Sequence, residues 1–238
     1  MENLNNKFDG FSKETFKFLL ELGFNNNKQW FEENKQRYQE NVIEPFRKLV
    51  VDLSGFILSI DSDFETRPAI GKTISRIYRD VRFSKNKSPY RTSVWITFKK
   101  SGRDWVLDPC FFFEITPDLY RYGMGFYTTP KEALERLREL IDDNDREFLK
   151  LNKLYHSQKE FVMEGERYKK LYAGTKPEEL LDWYQRKNIF FMCTKNIDSN
   201  IYSDKILETV KNCFSELIPF YKFLWRIKLE GEAKKLRI

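Results

Sequence analysis

The spacing of the apolar residues changes twice along this chain of 238 residues, and these changes constrain the fold more than any other feature. In the first quarter, apolar side chains recur every three or four positions, as on one face of an α-helix. From about residue 71 they alternate with polar side chains, as in strands that bury one face. From about residue 129 the helical spacing returns. Helices on both sides of a run of strands predict an α+β fold.

The chain is long enough for one large domain or two small ones, and no linker or repeat divides it. We therefore expect a single α+β domain over residues 1–238, helical at 11–60, mainly β at 71–127, and helical with one candidate strand at 129–228. Short connections between the apolar runs predict an antiparallel meander of about four to six strands, flanked by the N-terminal and C-terminal helices. Pro117–Asp118 is the expected turn of one hairpin.

Polar residues directly ahead of apolar runs predict where individual helices begin. Ser12 and Asn27 are candidate N-caps of the first two helices. Thr129, with Glu132 three positions later, predicts a capping box for a helix after the strands. Pro45 falls within a helical pattern, so we expect a kink there or two helices that meet.

The cysteines and the apolar runs predict a cytoplasmic protein outside the membrane. No segment approaches the roughly 20 apolar residues that span a bilayer. The first ten residues, MENLNNKFDG, lack the apolar run of a signal peptide. Cys110, Cys193 and Cys213 are widely spaced and odd in number, which favours reduced thiols rather than disulfides.

The positive charge is concentrated in one short segment. The chain holds 42 Lys and Arg against 36 Asp and Glu, a net charge of +6. One acid, Asp80, lies in the segment from 72 to 91, with seven cations: Lys72, Arg76, Arg79, Arg82, Lys85, Lys87 and Arg91. The rest of the chain is therefore neutral overall. A protein that coats nucleic acid spreads its cations more widely, so this density favours a compact acidic ligand.

As a strand, this segment places four polar side chains on one face: Arg76, Tyr78, Asp80 and Arg82. Arg79 falls on the opposite, apolar face with Ile77, Val81 and Phe83, where an unpaired charge is costly. Glu114, from a later strand, is its candidate partner. Arginine can hold two oxygens of a phosphate or carboxylate at once, and lysine adds a point charge.

We expect this segment to form a pocket for a small phosphorylated or carboxylated ligand. The candidate ligand-binding residues are Arg76, Tyr78, Arg79, Asp80, Arg82, Ser84, Lys87, Tyr90 and Arg91. The same spacing is equally compatible with a structural salt-bridge network around Asp80 and with lysines on a solvated turn.

Three other functions remain open. The segment 72–91 can bind nucleic acid, with Tyr78, Tyr90 and Trp95 as stacking surfaces. It can dock an acidic protein partner, whose identity the sequence does not indicate. The chain can also be a metal-dependent hydrolase or transferase acting on phosphate, with Asp80 and Glu114 as weak catalytic candidates.

Cofactor and metal signals are otherwise weak. Magnesium is expected only for an enzyme that uses the two carboxylates. His156 is the only histidine, which argues against a zinc site, and we interpret it as a surface residue. The phosphate-binding P-loop and the dinucleotide-binding glycine motif are absent from the sequence. We therefore predict no metal and no cofactor.

The segment RIYRDVRFSKNKSPYR resembles the signature of a family of uncharacterised proteins, domain of unknown function 2461. An upstream stretch, NNNKQWF, resembles a second motif of that family. The resemblance covers nearly the whole chain and implies a single α+β domain of cytoplasmic type with no established activity. It further implies that Asn26 and Trp30 border the pocket. The chain departs from the family at 166–184, where an Asp-His-Pro is often found and no histidine is present here.

Overall fold

The computed structural model of the chain describes residues 7–102, 105–169 and 176–236. The elements in chain order are α1 (Lys13–Phe24), α2 (Lys28–Glu33), α3 (Lys35–Tyr38), a π-helix (Gln39–Ile43), α4 (Glu44–Ile60), β1 (Val94–Phe98), a 3₁₀-helix (Trp105–Leu107), β2 (Pro109–Ile115), β3 (Leu119–Phe126), α5 (Lys131–Asp142), α6 (Arg146–Ser157), β4 (Val162–Glu164), α7 (Glu178–Gln185), β5 (Phe190–Asn196) and α8 (Lys205–Lys235). Residues 170–175, within the stretch that departs from the family, lie outside the described part.

The predicted α+β fold is confirmed, with helices at both ends and one antiparallel sheet between them. The five strands are neighbours in the order β1-β2-β3-β5-β4. The first three follow one another as the predicted meander. The candidate strand in the C-terminal part is β5, and the short β4, which the sequence did not indicate, pairs with it antiparallel from Val162 opposite Met192 to Glu164 opposite Phe190.

Backbone contacts divide the chain into two compact units, so the single domain stays a prediction. The first unit contains the residues up to Phe98 together with Phe112–Tyr122 and Thr194–Asn212, and the second contains Lys99–Phe111, Gly123–Cys193 and the residues from Cys213 onward. Each unit has its own aromatic core. In the first, the buried Phe11 ring lies 5.0 Å from Phe46 and 5.7 Å from Phe113. In the second, the Phe191 ring lies 4.6 Å from Phe220 and 5.7 Å from Trp183.

The expected starts of the first two helices are confirmed. The Ser12 side chain accepts a hydrogen bond from the Thr15 amide, and the Asn27 side chain accepts one from the Trp30 amide. These bonds satisfy amides that have no partner inside the helix. The interruption expected at Pro45 is also confirmed, because α4 begins at Glu44 directly after the π-helix, with Pro45 in its first turn.

The capping box predicted at Thr129 is wrong. The N-cap residue of α5 is Pro130, and no side chain caps the N-terminus of this helix with a hydrogen bond. The Thr129 hydroxyl instead lies 2.5 Å from Asn188 Oδ1 and accepts a hydrogen bond from the Ile189 amide at 2.9 Å. Thr129 therefore holds the residues that precede β5, 60 positions further along the chain. Sequence spacing gives no sign of such a distant partner.

Helix α8 is longer than the apolar pattern predicts. The expected helical range ended at 228, but the helix continues to Lys235 and is 31 residues long, with Pro219 inside it. Within the ranges that the structure describes, no helix combines the length and the apolar character needed to cross a membrane.

All three cysteines are buried and free of disulfides. Burial raises the pKa of the Cys110 thiol to about 12, so that thiol stays protonated at neutral pH. Cys110 therefore packs as a small apolar side chain.

Candidate functional site

Residues 76–91 form a short, irregular hairpin in the first unit, which we call the basic hairpin. Tyr78 and Tyr90 oppose each other in an antiparallel bridge. Beside them, the Arg79 amide donates to the Pro89 carbonyl at 2.8 Å. The two arms are thus joined near their base, and the basic loop extends beyond that junction.

The regular strand expected across residues 76–83 is wrong, although the arm is extended. Side chains of the loop compete for the backbone groups that a ladder would use. The Asp80 carboxylate accepts from the Arg82 amide at 3.2 Å, and the Asn86 side chain accepts from the Ser88 amide at 2.9 Å. Pro89 has no amide hydrogen to offer a neighbouring strand. Strand β1 is therefore the first regular strand of the region predicted to be mainly β.

The base of the hairpin is fastened to β1 through residues 73–75. The Ser75 amide donates to the Trp95 carbonyl at 2.8 Å, and the Thr97 amide donates to the Thr73 carbonyl at 2.9 Å. The Ser75 hydroxyl in turn accepts from the Trp95 amide at 3.1 Å. These bonds cover one edge of β1 and give the hairpin a fixed starting point.

Asn26 fastens the other arm of the hairpin. Its side-chain amide donates to the Tyr90 carbonyl at 3.0 Å, and its side-chain oxygen accepts from the Tyr90 amide at 3.0 Å. A carboxamide has the donor and the acceptor of a peptide group, so Asn26 takes the place of a neighbouring strand. The Phe31 ring stacks on the Tyr90 ring with centroids 4.3 Å apart. Trp30 packs toward the interior, 5.6 Å from Phe18.

Three cations of the hairpin bind backbone carbonyls within it. Arg91 donates to the Tyr78 carbonyl at 2.8 Å, and its guanidinium lies 5.1 Å from the Trp95 ring centroid. Arg79 likewise donates to the Ser88 carbonyl at 3.2 Å, and Lys87 donates to the Val81 carbonyl at 2.9 Å.

The expected pairing of Arg79 with Glu114 is wrong. Glu114 lies on β2 and accepts instead from Arg121 on β3. Arg79, which is only partly buried, bonds the Ser88 carbonyl and the Ser84 hydroxyl, the latter at 3.4 Å. Its charge therefore has neutral hydrogen-bond partners rather than a carboxylate.

Asp80 pairs with Arg82. The Arg82 Nη2 lies 2.7 Å from Asp80 Oδ2, and the Arg82 Nε lies 3.0 Å from Asp80 Oδ1. The hydrogen bonds from the Arg82 side chain and amide lower the pKa of Asp80, so the carboxylate is ionised at neutral pH. The two carboxylates proposed for catalysis, Asp80 and Glu114, thus each have their own arginine.

Most of the positive charge of the segment is not neutralised. A carbonyl oxygen can accept a hydrogen bond from a cation but carries no formal charge to cancel it. Within the described part of the chain, six cations of the segment form no ion pair with a carboxylate: Lys72, Arg76, Arg79, Lys85, Lys87 and Arg91. The structural salt-bridge network considered above is therefore limited to the Asp80–Arg82 pair.

The aromatic side chains of the hairpin differ sharply in exposure. Tyr90 is 2% exposed and is covered by Phe31, whereas Tyr78 is 56% exposed. Phe83 was expected on the buried face of a strand but is 95% exposed, with the Arg82 guanidinium 5.9 Å from its ring centroid. An apolar ring in this position lies beside the cations and faces solvent.

A family model with the description conserved hypothetical protein (DUF2461) matches residues 14–223. The chain belongs to this family. Both stretches that suggested the resemblance lie inside the matched range, and a search of curated proteins found no match. In this DUF2461 chain, the hydrogen bonds from Asn26 to Tyr90 join the two stretches, which are 64 residues apart.

Some features of the site had no signal in the sequence of this DUF2461 chain. Asn26 was predicted to border the pocket, which stays a prediction; the structure places it beside the basic hairpin, where its two bonds to one peptide group were not foreseen. Phe31 is a buried core residue that also contacts Tyr78 and Tyr90. His156 is exposed on α6, as expected. No group of three His, Cys, Asp or Glu side chains that could hold a metal ion occurs within the described ranges.

Proposed function

We propose that the basic hairpin binds a small anionic ligand that carries phosphate or carboxylate groups. The observation that carries this proposal is the set of six cations that form no ion pair with a carboxylate among the described residues. Uncompensated charges of one sign repel one another and destabilise the folded state, and a bound anion relieves that repulsion. Phosphate is the favoured group because arginine can contact two of its oxygens at once.

The fixed backbone of the hairpin supports the same proposal. Asn26 and residues 73–75 hold its base, while Arg91 and Lys87 bind carbonyls of its own backbone. A site whose backbone is already ordered loses less conformational freedom when it binds. Binding is also expected to be weak to moderate for a single small anion, because the exposed side chains enclose it only in part.

Three of the cations are suited to a clean test. Lys72, Arg76 and Lys85 donate no hydrogen bond to a described residue, so their replacement by glutamine breaks no bond of the hairpin. Replacing Arg79, Lys87 or Arg91 would remove a backbone contact as well as a charge. The matched control is Lys13→Gln, because Lys13 is exposed on α1 of the same unit.

The test is a thermal-shift screen with phosphate, pyrophosphate, nucleotides, sugar phosphates, dicarboxylates and short oligonucleotides, each at two salt concentrations. A ligand at 100 times its Kd stabilises the native state by about 2.7 kcal/mol. For a chain of this size, that raises the Tm by roughly 5–10 °C.

We expect a phosphate-bearing small molecule to give this shift with the wild type and with Lys13→Gln. The triple variant Lys72→Gln, Arg76→Gln, Lys85→Gln should weaken binding about tenfold or more, because a hydrogen bond to a charged group contributes about 1.5–3 kcal/mol. No shift with any anion, or an equal shift in the triple variant, would refute the proposal.

Single-stranded nucleic acid is a second candidate, and the exposure of Phe83 favours it. Stacking of a base on an aromatic side chain contributes about 1–3 kcal/mol and requires an open ring face. Phe83 and Tyr78 offer such faces beside the cations, whereas the buried Tyr90 does not.

The nucleic-acid candidate predicts a different response to salt and to substitution. Affinity for oligonucleotides should fall steeply as salt rises, and Phe83→Ala should weaken it while leaving pyrophosphate binding unchanged. Equal affinity for a mononucleotide and a long oligonucleotide would remove this candidate.

We place this binding in the cytoplasm. The free, buried state of Cys110, Cys193 and Cys213 supports that location, because cytoplasmic proteins keep their thiols reduced.

A further inference from the structure

Tyr38, beside the basic hairpin, has a buried hydroxyl with no hydrogen-bond partner among the residues that the structure describes. The residue ends α3 and is 2% exposed. Its hydroxyl oxygen is buried and forms no hydrogen bond with the described part of the chain. Buried polar groups are rarely left unsatisfied in native proteins, because burial removes their hydrogen bonds to water. This hydroxyl therefore requires an explanation.

The Tyr38 ring lies in a cluster of aromatic rings that includes two tyrosines of the hairpin. The Phe31 ring is 5.3 Å from Tyr38, 4.3 Å from Tyr90 and 6.3 Å from Tyr78. The Tyr78 and Tyr90 rings are themselves 5.2 Å apart. Burial raises the pKa of Tyr38, and the nearby Tyr78 phenol raises it further. All three tyrosine rings therefore pack around the Phe31 ring, and Tyr78 is the one that reaches solvent.

An unusual backbone feature adjoins this cluster. The π-helix Gln39–Ile43 begins at the residue after Tyr38. A π-helical turn is wider than an α-helical one and is rare, and such turns occur frequently at functional sites. It sets the position of Tyr38 relative to α4, which continues directly from it.

From these observations, we infer that the Tyr38 hydroxyl is a specificity-determining contact that donates a hydrogen bond to an oxygen of the ligand held by the basic hairpin. The inference rests on the proposed function of the hairpin. In the bound state the Tyr78 side chain moves aside, and the ligand oxygen occupies the space next to the Tyr38 hydroxyl. The cations attract the anion, and the hydroxyl selects ligands that have an acceptor at this depth.

The substitution Tyr38→Phe separates this role from a purely structural one. It removes the hydroxyl and keeps the ring that packs against Phe31. Because the hydroxyl has no described partner to lose, the variant should have the same Tm as the wild type or a higher one when no ligand is present. A ligand contact would nevertheless be lost, so stability and affinity should change independently.

The matched control is Tyr120→Phe in the same unit. Tyr120 is buried, and its hydroxyl donates to the Asp198 carboxylate, with distances of 3.3 and 3.4 Å to the two oxygens. Loss of the Tyr120 hydroxyl should lower the Tm without changing the affinity for the ligand. The two variants remove the same atom from the same residue type, one without a protein partner and one with it.

The experiment measures the Kd of pyrophosphate by calorimetric titration for the wild type and both variants. The inference predicts that Tyr38→Phe weakens binding about tenfold with an undiminished Tm, and that Tyr120→Phe binds as the wild type does. Unchanged affinity in Tyr38→Phe, with binding still lost in the triple variant of Lys72, Arg76 and Lys85, would overturn this inference alone. Failure of the wild type to bind pyrophosphate would overturn it together with the proposed function of the hairpin for that anion.

Discussion

Replacing Asn26 by alanine is the most informative perturbation of the scaffold that holds the basic hairpin. The side chain satisfies both the amide and the carbonyl of Tyr90, at 3.0 Å each, in a partly buried position. A typical protein hydrogen bond contributes about 1 kcal/mol net, and a partner left without one adds a desolvation cost. The free energy of unfolding should therefore fall by about 2–3 kcal/mol. For a chain of this size, the Tm should fall by about 4–12 °C.

Two further variants make the Asn26 measurement specific. Asn26→Asp keeps an acceptor for the Tyr90 amide but places a carboxylate against the Tyr90 carbonyl, so it should be at least as destabilising as alanine. Asn25→Ala removes the same side chain one position earlier, where it donates only to the exposed Glu21 carbonyl. That control should change stability by less than about 0.5 kcal/mol.

The assay for Asn26 is urea unfolding combined with hydrogen exchange. In Asn26→Ala, the Tyr90 amide should exchange faster than in the wild type, because it has lost its acceptor. A stability for Asn26→Ala within about 0.5 kcal/mol of the wild type, with unchanged exchange at Tyr90, would refute the account of how the hairpin is held.

The other predictions concern single contacts, each measured by chemical or thermal unfolding. Thr129→Val should lower stability by about 1–3 kcal/mol, because the buried Ile189 amide and the partly buried Asn188 side chain would lose the Thr129 hydroxyl as their hydrogen-bond partner, and Thr129→Ser should not. Gly10→Ala should cost about 3 kcal/mol, since φ is +108° and the new Cβ would lie 2.4 Å from a backbone nitrogen, whereas Gly55→Ala, with no atom within 4 Å, should be neutral or stabilising. The side chain of Arg67 lowers the pKa of Glu65 to about 2. The ionised Glu65 therefore contributes to the free energy of unfolding above pH 4.5, and this contribution is lost as pH falls through about 2. Glu65→Gln should flatten that part of the acid unfolding curve.

The sequence predicted the elements whose cause is local. Helix starts at Ser12 and Asn27 follow from one side chain and the next three amides. The meander follows from period-two alternation and short turns. The cap expected at Thr129 failed because Asn188, a residue 59 positions away, provides a stronger set of hydrogen bonds. Spacing along a chain carries no information about such a partner.

The candidate site shows the same division between local and distant causes. Charge counting identified the basic segment and its single acid. Alternation then predicted a strand with Phe83 buried, which was wrong because loop side chains bond the backbone that a strand would need. The fastening of Tyr90 by Asn26 and the cluster around Phe31 depend on residues far apart in sequence. These contacts can be read only from the fold.

The most direct test of the central claim is a map of amide chemical shifts as pyrophosphate is added to the isotope-labelled protein. We expect the largest changes to be confined to residues 76–91 and to Tyr38, with the same changes reduced in the triple variant of Lys72, Arg76 and Lys85. Unchanged hairpin amides, or shifts concentrated on α5 of the second unit, would contradict the proposed function.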